Sequence, residues 1–202
     1  MFKIPVSLMI PLLFATYNEH KVTEIQAVIG NRFQVQSLPD AGINLPIPEP
    51  HDTLRANAAE KSWTIYRLTG KNCFSEDSGL EVADLGGAPG VRSARYAGDQ
   101  ASAQQNIDKL LKALAGHAQR KARFCTIISL IWEGQEYQFE GTCEGEITQE
   151  IIGKQGFGYD PVFRPTGSLL TFGEMTLEEK NRFSHRKKAT EQLIRFLQDK
   201  AN

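Results

Sequence analysis

The stretch Pro11–Gly30, PLLFATYNEHKVTEIQAVIG, decides the fold. Leu12, Leu13 and Phe14 form an unbroken apolar run, so Pro11–Thr16 reads as a short buried strand. Asn18–His20 reads as a loop. Lys21–Ile29 then puts Val22, Ile25, Val28 and Ile29 on one helical face and stops at Gly30. Phe33–Leu38 alternates as a strand does. Strand, helix and strand in succession point to an α/β sheet.

The same reading extends along the chain. Pro39–Pro50 holds four prolines and a glycine and is a loop. Asp52 or Thr53 caps a helix that runs to about Leu68 and stops at Gly70. Cys73–Glu76 and Leu80–Leu85 read as two short strands around a Ser78-Gly79 turn, and 86–98 as irregular. Ala101–Leu114 aligns Ile107, Leu110, Leu111 and Leu114 on one face and ends near Gly116. Phe124–Trp132 reads as a central strand, and the Glu133-Gly134 turn leads into a hairpin partner reaching Ile147. A short apolar strand is expected at Pro161–Phe163. Thr176 and Glu179 have capping-box spacing, and Ser184 is placed to cap a last helix with Ala189, Leu193, Phe196 and Leu197 inward. The expected class is α/β with a mixed sheet and flanking helices.

The 202 residues, 41% apolar and 23% charged, suit a single domain over 1–202, with residues 1–10 as an N-terminal extension. A formal net charge of −1 gives no general attraction for nucleic-acid polymers or anionic membranes. Cys73, Cys125 and Cys143 have neither CxxC nor zinc-site spacing, which favours reduced thiols in a cytoplasmic protein. Met1–Ala15 has some features of a signal peptide. Pro5 and Pro11 interrupt its apolar run, and cleavage there would cut a buried strand from the loop that follows it.

Four places carry candidate chemistry. Thr16, Asn18 and Lys21 lie on a strand-to-helix turn, where unpaired backbone N–H groups favour anions. An ordinary capped helix explains that turn too. Glu76 and Asp77 are adjacent acids whose repulsion a cation or solvent must relieve. Magnesium takes one or two carboxylates and otherwise keeps water and phosphate oxygens. Glu49 offers a third acid, although a surface acid is an equally good reading. In Gly156–Pro161, Phe157 or Tyr159 offers a stacking face for a base, beside Gly158 and Asp160. A hydrophobic turn closing the core competes with that reading. Lys180 and Ser184-His185-Arg186 form the fourth place. Cations at a helix N-terminus oppose its dipole, a misfit that suggests a bound anion or an acceptor-rich ligand.

Jointly and in this order, the motifs resemble the inosine triphosphate pyrophosphatase family. The resemblance runs from about Leu12 to Leu197. It rests on Phe14-Ala-Thr-x-Asn-x-x-Lys21, Glu76-Asp-Ser-Gly-Leu-Glu-Val82, the glycine-rich block from Leu85 to Gly98, Gly156–Phe163 and Ser184–Arg186. It implies an elongated mixed sheet with two lobes around a nucleotide cleft, and a homodimer. It implies hydrolysis of non-standard purine triphosphates (ITP, dITP, XTP) to the monophosphate and pyrophosphate, with Mg²⁺. Asp77 inherits the general-base and metal role, with Glu49 and Glu76 as further candidate ligands. Thr16, Asn18, Lys21 and Ser78 inherit the triphosphate. Phe157, Gly158, Tyr159, Asp160, Lys180, His185 and Arg186 match the nucleoside pocket, where cationic donors from Lys180 and Arg186 would favour the C6 oxygen over an amino group. Tyr17, Glu19 and His20 fill the variable places of the first loop, where a glycine is frequent in the family, and Glu76 replaces the more usual aspartate. A non-catalytic nucleotide-binding protein is the competing reading.

Overall fold

The computed structural model describes residues 10–30 and 32–200. The N-terminal extension therefore lies outside the described residues, except for Ile10, which opens the first strand. The chain runs β1 (Ile10–Phe14), α1 (Glu19–Ile29), β2 (Phe33–Gln36), α2 (Leu54–Thr69), β3 (Cys73–Val82) and β4 (Pro89–Gly90). It continues with α3 (Ala103–Ala113), β5 (Lys121–Trp132), β6 (Gln135–Ile147), β7 (Phe163–Pro165), α4 (Leu177–Lys180) and α5 (His185–Lys200). Among the described residues the strands form one seven-stranded mixed sheet in the order β2-β1-β3-β5-β6-β7, with β4 on β3. β1 is parallel to both β2 and β3, whereas β4 and β7 run antiparallel to β3 and β6.

Contacts divide the chain into two compact units. The first comprises residues up to Asp77, Ile127–Glu140 and the segment from Arg186, and the second Ser78–Thr126 and Gly141–His185. In the first unit β1 is covered on both faces, which is why its sequence is a run and not an alternation. Leu12 and Phe14 join Ile25 and Ile29 of α1 and Ala189, Leu193 and Leu197 of α5. Leu13 and Ala15 point the other way, to Ile65 of α2 and Ile131 of β5. Phe14 and Phe74 stack at 4.3 Å between ring centroids. Burying each such side chain contributes roughly 1.5–3 kcal/mol. The core of the second unit gathers Leu80, Leu110, Leu114, Phe124, Phe163 and Phe172.

Local signals set most element ends. Asn18 caps α1 by accepting the Lys21 N–H, so the helix begins at Glu19, two residues before the periodicity implies. Thr53, not Asp52, caps α2, and left-handed Gly70 ends it. Glu133 and Gly134, both at positive φ, make the β5–β6 turn. The Thr176–Glu179 capping box forms as its spacing implies. Two expectations are corrected. Ser78-Gly79 is not a turn, because β3 runs unbroken from Cys73 to Val82. β3 pairs with β1 at its start and with β4 near its end and lies beside β5 in the sheet, and that placement overrides the local turn preference of Ser and Gly. The strand expected at Pro161–Phe163 is a 3₁₀ turn over Asp160–Val162 followed by β7.

Candidate active site

In the first unit, three elements bring charge together around the end of Cys73–Asp77. Asp77 is mid-strand and nearly buried. Its Oδ1 accepts a 2.8 Å hydrogen bond from Lys61 Nζ, and the same ammonium donates to Glu49 Oε1 at 2.7 Å. One cation thus bridges two carboxylates from two separate segments. Burial pushes the Asp77 carboxyl above its usual range, and the nearby Lys61 and Lys21 only partly offset that. Burial alone would lower Lys61, but the Asp77 and Glu49 carboxylates outweigh it and hold the ammonium charged.

Sequence reasoning missed Lys61. Its signal was present: Leu54, Asn57, Ala58, Lys61, Ser62 and Ile65 are the buried face of α2 at helical spacing. A lysine on that stripe must find a buried anion, since unpaired buried charge is costly.

Glu76 faces a second cluster. Arg186 grips it with two donors, Nε to Oε2 at 2.6 Å and Nη2 to Oε1 at 2.8 Å, and its Nη1 donates to Glu24. Lys21 Nζ lies 3.3 Å from Glu76 Oε1. Burial lowers Lys21 against the pull of Glu76, with Lys61 and Arg186 adding repulsion. Burial alone would lower Arg186, but Glu76 and Glu24 outweigh it and drive it up.

Glu76 is thus engaged by Arg186 and Lys21, and the Arg186 guanidinium donates to both Glu76 and Glu24. The cation at the start of α5 meets buried anions of its own unit.

The turn before α1 is tightly organised. Thr16 Oγ1 accepts the Asn18 N–H at 3.1 Å, and Asn18 Oδ1 accepts the Lys21 N–H at 3.2 Å. Asn18 therefore acts as a helix cap here, and the turn, Lys21 and Asp77 all belong to the first unit.

The second unit holds the remaining candidates. Ser78 Oγ and Thr126 Oγ1 lie 2.7 Å apart. Asp160 Oδ2 accepts from Lys180 Nζ at 2.7 Å and from the Phe157 N–H at 2.8 Å, with both charged groups buried. Lys180 Nζ also sits over the rings of Phe157 and Phe172, at 5.1 and 5.3 Å from their centroids. Gly156 permits this: at φ +73°, an added Cβ would stand 2.0 Å from Asp160 Oδ2. Gly158 is also left-handed, at φ +60°, one residue beyond Phe157.

Tyr159 is corrected from a base-stacking candidate to a core residue. It is 4% exposed, and its hydroxyl donates to Ser93 O at 2.9 Å. His185 is likewise buried and stacks on Phe124 at 4.7 Å. Phe157 keeps partial exposure and remains the candidate stacking face.

The donor set fits a hard divalent cation. Glu49 and Asp77 supply carboxylate oxygens at a spacing that already holds one cation, the Lys61 ammonium, between them. No group of three or more His, Cys, Asp and Glu poised for a metal occurs among the described residues. A cation held by this pair would take two protein carboxylates and complete its shell with other oxygens.

The chain is similar to several known proteins over most of its length. The dITP/XTP pyrophosphatase of Flavobacterium johnsoniae is 46% identical over 186 residues, 92% of this chain and 97% of that protein. The dITP/XTP pyrophosphatase of Porphyromonas gingivalis is also 46% identical, over 92% of this chain and 96% of its own length. The structure of a HAM1 protein from Coxiella burnetii superposes with a TM-score of 0.86 at 35% identity, covering 95% of this chain and all of that one. The Staphylococcus aureus Ham1 protein gives 0.85 at 34% identity, over 94% and 99%. The Ham1 family model matches residues 12–196. The chain belongs to the Ham1 family.

Proposed function

We propose that this protein is a nucleoside-triphosphate pyrophosphatase that hydrolyses non-standard purine triphosphates such as dITP, ITP and XTP. The observation that carries the reading is the buried, upward-shifted Asp77 bridged through Lys61 to Glu49. The relatives named dITP/XTP pyrophosphatase support the same substrate class.

In the proposed reaction, water forms a bond to the α-phosphorus and the bond to the bridging oxygen breaks. The nucleoside monophosphate remains and pyrophosphate leaves. Asp77 accepts the proton from water, and a raised pKa suits a carboxylate for that role. Lys61 orients Asp77 and supplies positive charge beside it. Lys21 and the start of α1 receive the triphosphate, with Lys21 exchanging Glu76 for a phosphate oxygen. Arg186 keeps Glu76 neutralised when Lys21 leaves. Glu49 and Asp77 are the residues that would hold Mg²⁺, which when bound offsets charge on the phosphate oxygens. Ser78 is assigned to the phosphates.

The base is assigned to the second unit's Phe157–Asp160 turn and Lys180. An ammonium donor favours the C6 oxygen of hypoxanthine or xanthine, and the amino group of adenine would face it donor to donor.

The resemblance further proposes a homodimer in the cytoplasm. Three buried thiols without a disulfide are in keeping with a reducing compartment. No described helix is long and apolar enough to cross a membrane.

A panel of triphosphates, assayed separately for pyrophosphate and phosphate with and without Mg²⁺, tests the reading. Pyrophosphate release from dITP, ITP or XTP, at rates well above ATP, is expected. Tight nucleotide binding with no product would favour a non-catalytic binding protein instead.

A further inference from the structure

We propose that Tyr17 is a positioning residue. Its hydroxyl fastens the proline-rich segment that carries Glu49 to the turn that carries Thr16, Asn18 and Lys21. This role rests on the hydrolytic reading above, and both segments belong to the first unit.

The Tyr17 hydroxyl donates to Leu45 O at 2.7 Å and accepts the Leu45 N–H at 2.9 Å. One side-chain oxygen thus satisfies both polar backbone groups of a residue 28 positions away. The segment needs such a fastener. Pro39, Pro46, Pro48 and Pro50 lack the N–H a ladder requires, and residues 43–50 form neither helix nor strand.

The loop is instead held at points. The Leu38 N–H donates to Thr16 O at 3.2 Å. Leu45 is held by Tyr17, and Glu49 by Lys61 at 2.7 Å. Beyond Glu49, the Asn57 amide exchanges two hydrogen bonds with the His51 backbone, at 2.9 and 3.0 Å.

Of these fasteners Tyr17 is the exposed one, at 45%. Asn57 and Lys61 are buried and Thr16 half-buried. Burial does not account for a tyrosine at this position, whereas the paired hydrogen bonds do. Their consequence lies at Glu49. With Leu45 tied, residues 46–48 lead from it to Glu49, with Ile47 packed against the core. Without it the next backbone hydrogen bond upstream is from the Ile43 N–H to Leu38 O at 2.9 Å, and closing the longer span costs more entropy. Glu49 would then leave Lys61 more often. That weakens the carboxylate pair offered to a divalent cation and leaves Lys61 drawn to Asp77 alone.

Tyr17→Phe keeps the ring and removes the hydroxyl. Amide exchange at Leu45, read by NMR in the substrate-free protein, is expected to speed up roughly tenfold, the scale of one lost hydrogen bond. The melting temperature is expected to stay unchanged, and the half-saturating Mg²⁺ concentration for pyrophosphate release to rise about 3- to 10-fold, with kcat at saturating Mg²⁺ preserved. Glu49→Gln is expected to raise the Mg²⁺ requirement too, without changing exchange at Leu45. Unchanged Leu45 exchange in Tyr17→Phe would overturn the fastener. Faster exchange with an unchanged Mg²⁺ requirement would overturn the positioning role and leave a plain surface staple. A wild-type protein that releases no pyrophosphate would remove the hydrolytic reading and the positioning role together, while the exchange result would still report on the fastener itself.

Discussion

Lys61 Nζ lies 2.8 Å from Asp77 Oδ1, and the same ammonium reaches Glu49 at 2.7 Å. A helix lysine thus ties the strand that carries the proposed general base to a loop without regular structure. Substituting Lys61 by Met would leave two carboxylates around a vacated cation. Breaking a buried pair by removing one partner costs about 3–5 kcal/mol, so a clear fall in melting temperature is expected with loss of turnover. A variant that melts like the wild type would show that the bridge contributes little.

Asp77→Asn should separate chemistry from stability. Turnover is expected to fall by at least ~10²-fold, the scale of a lost acid–base group. Its carboxyl is raised in the folded protein, chiefly by burial. A raised carboxyl favours folding most when protonated, and that contribution is lost as pH rises through the folded value. At neutral pH the amide removes that burden but also the ion pair with Lys61, so the change with pH is the informative quantity. Thermal melts at pH 5 and pH 8 check the sign: the mutant should gain on the wild type at the higher pH.

Arg186→Ala should act on the fold. Two carboxylates would lose their shared guanidinium in a buried site. Stability and overall turnover are expected to fall. A lowered ratio of ITP to ATP hydrolysis in the folded variant would add a role in base choice, and a constant ratio would confine Arg186 to the fold.

Gly156→Ala should damage the proposed base site locally. The new methyl would meet the Asp160 carboxylate and sit on a left-handed backbone. Displacing Asp160 releases its bonds from Lys180 and the Phe157 N–H. A rise in KM for ITP of about tenfold is expected, the scale of one or two lost hydrogen bonds to charged groups. An unchanged KM would take this turn out of substrate binding.

Cys73 should resist alkylation in the native state. Burial pushes its thiol up to about 12, so little thiolate exists at pH 8. Mass spectrometry after iodoacetamide treatment should find Cys73 modified only in denatured protein.

The linear sequence by itself determined what depends on near neighbours. The apolar run of Leu12–Phe14, the caps at Thr53 and Thr176, and the stop at Gly70 are interactions within a few residues, and they appear where their chemistry puts them. The order of motifs also indicated the family, because it is a property of the string. The tertiary structure alone decided which charges meet. Arg186 finds Glu76 from 110 positions away and Glu24 from 162, and Lys61 finds Asp77 through the register of a helix against a strand. It also drew Ser78 and Gly79 into an unbroken β3 against their local preference. In each case the deciding energy is burial, which makes an unpaired charge or an unmade ladder bond expensive, and burial belongs to the assembled fold.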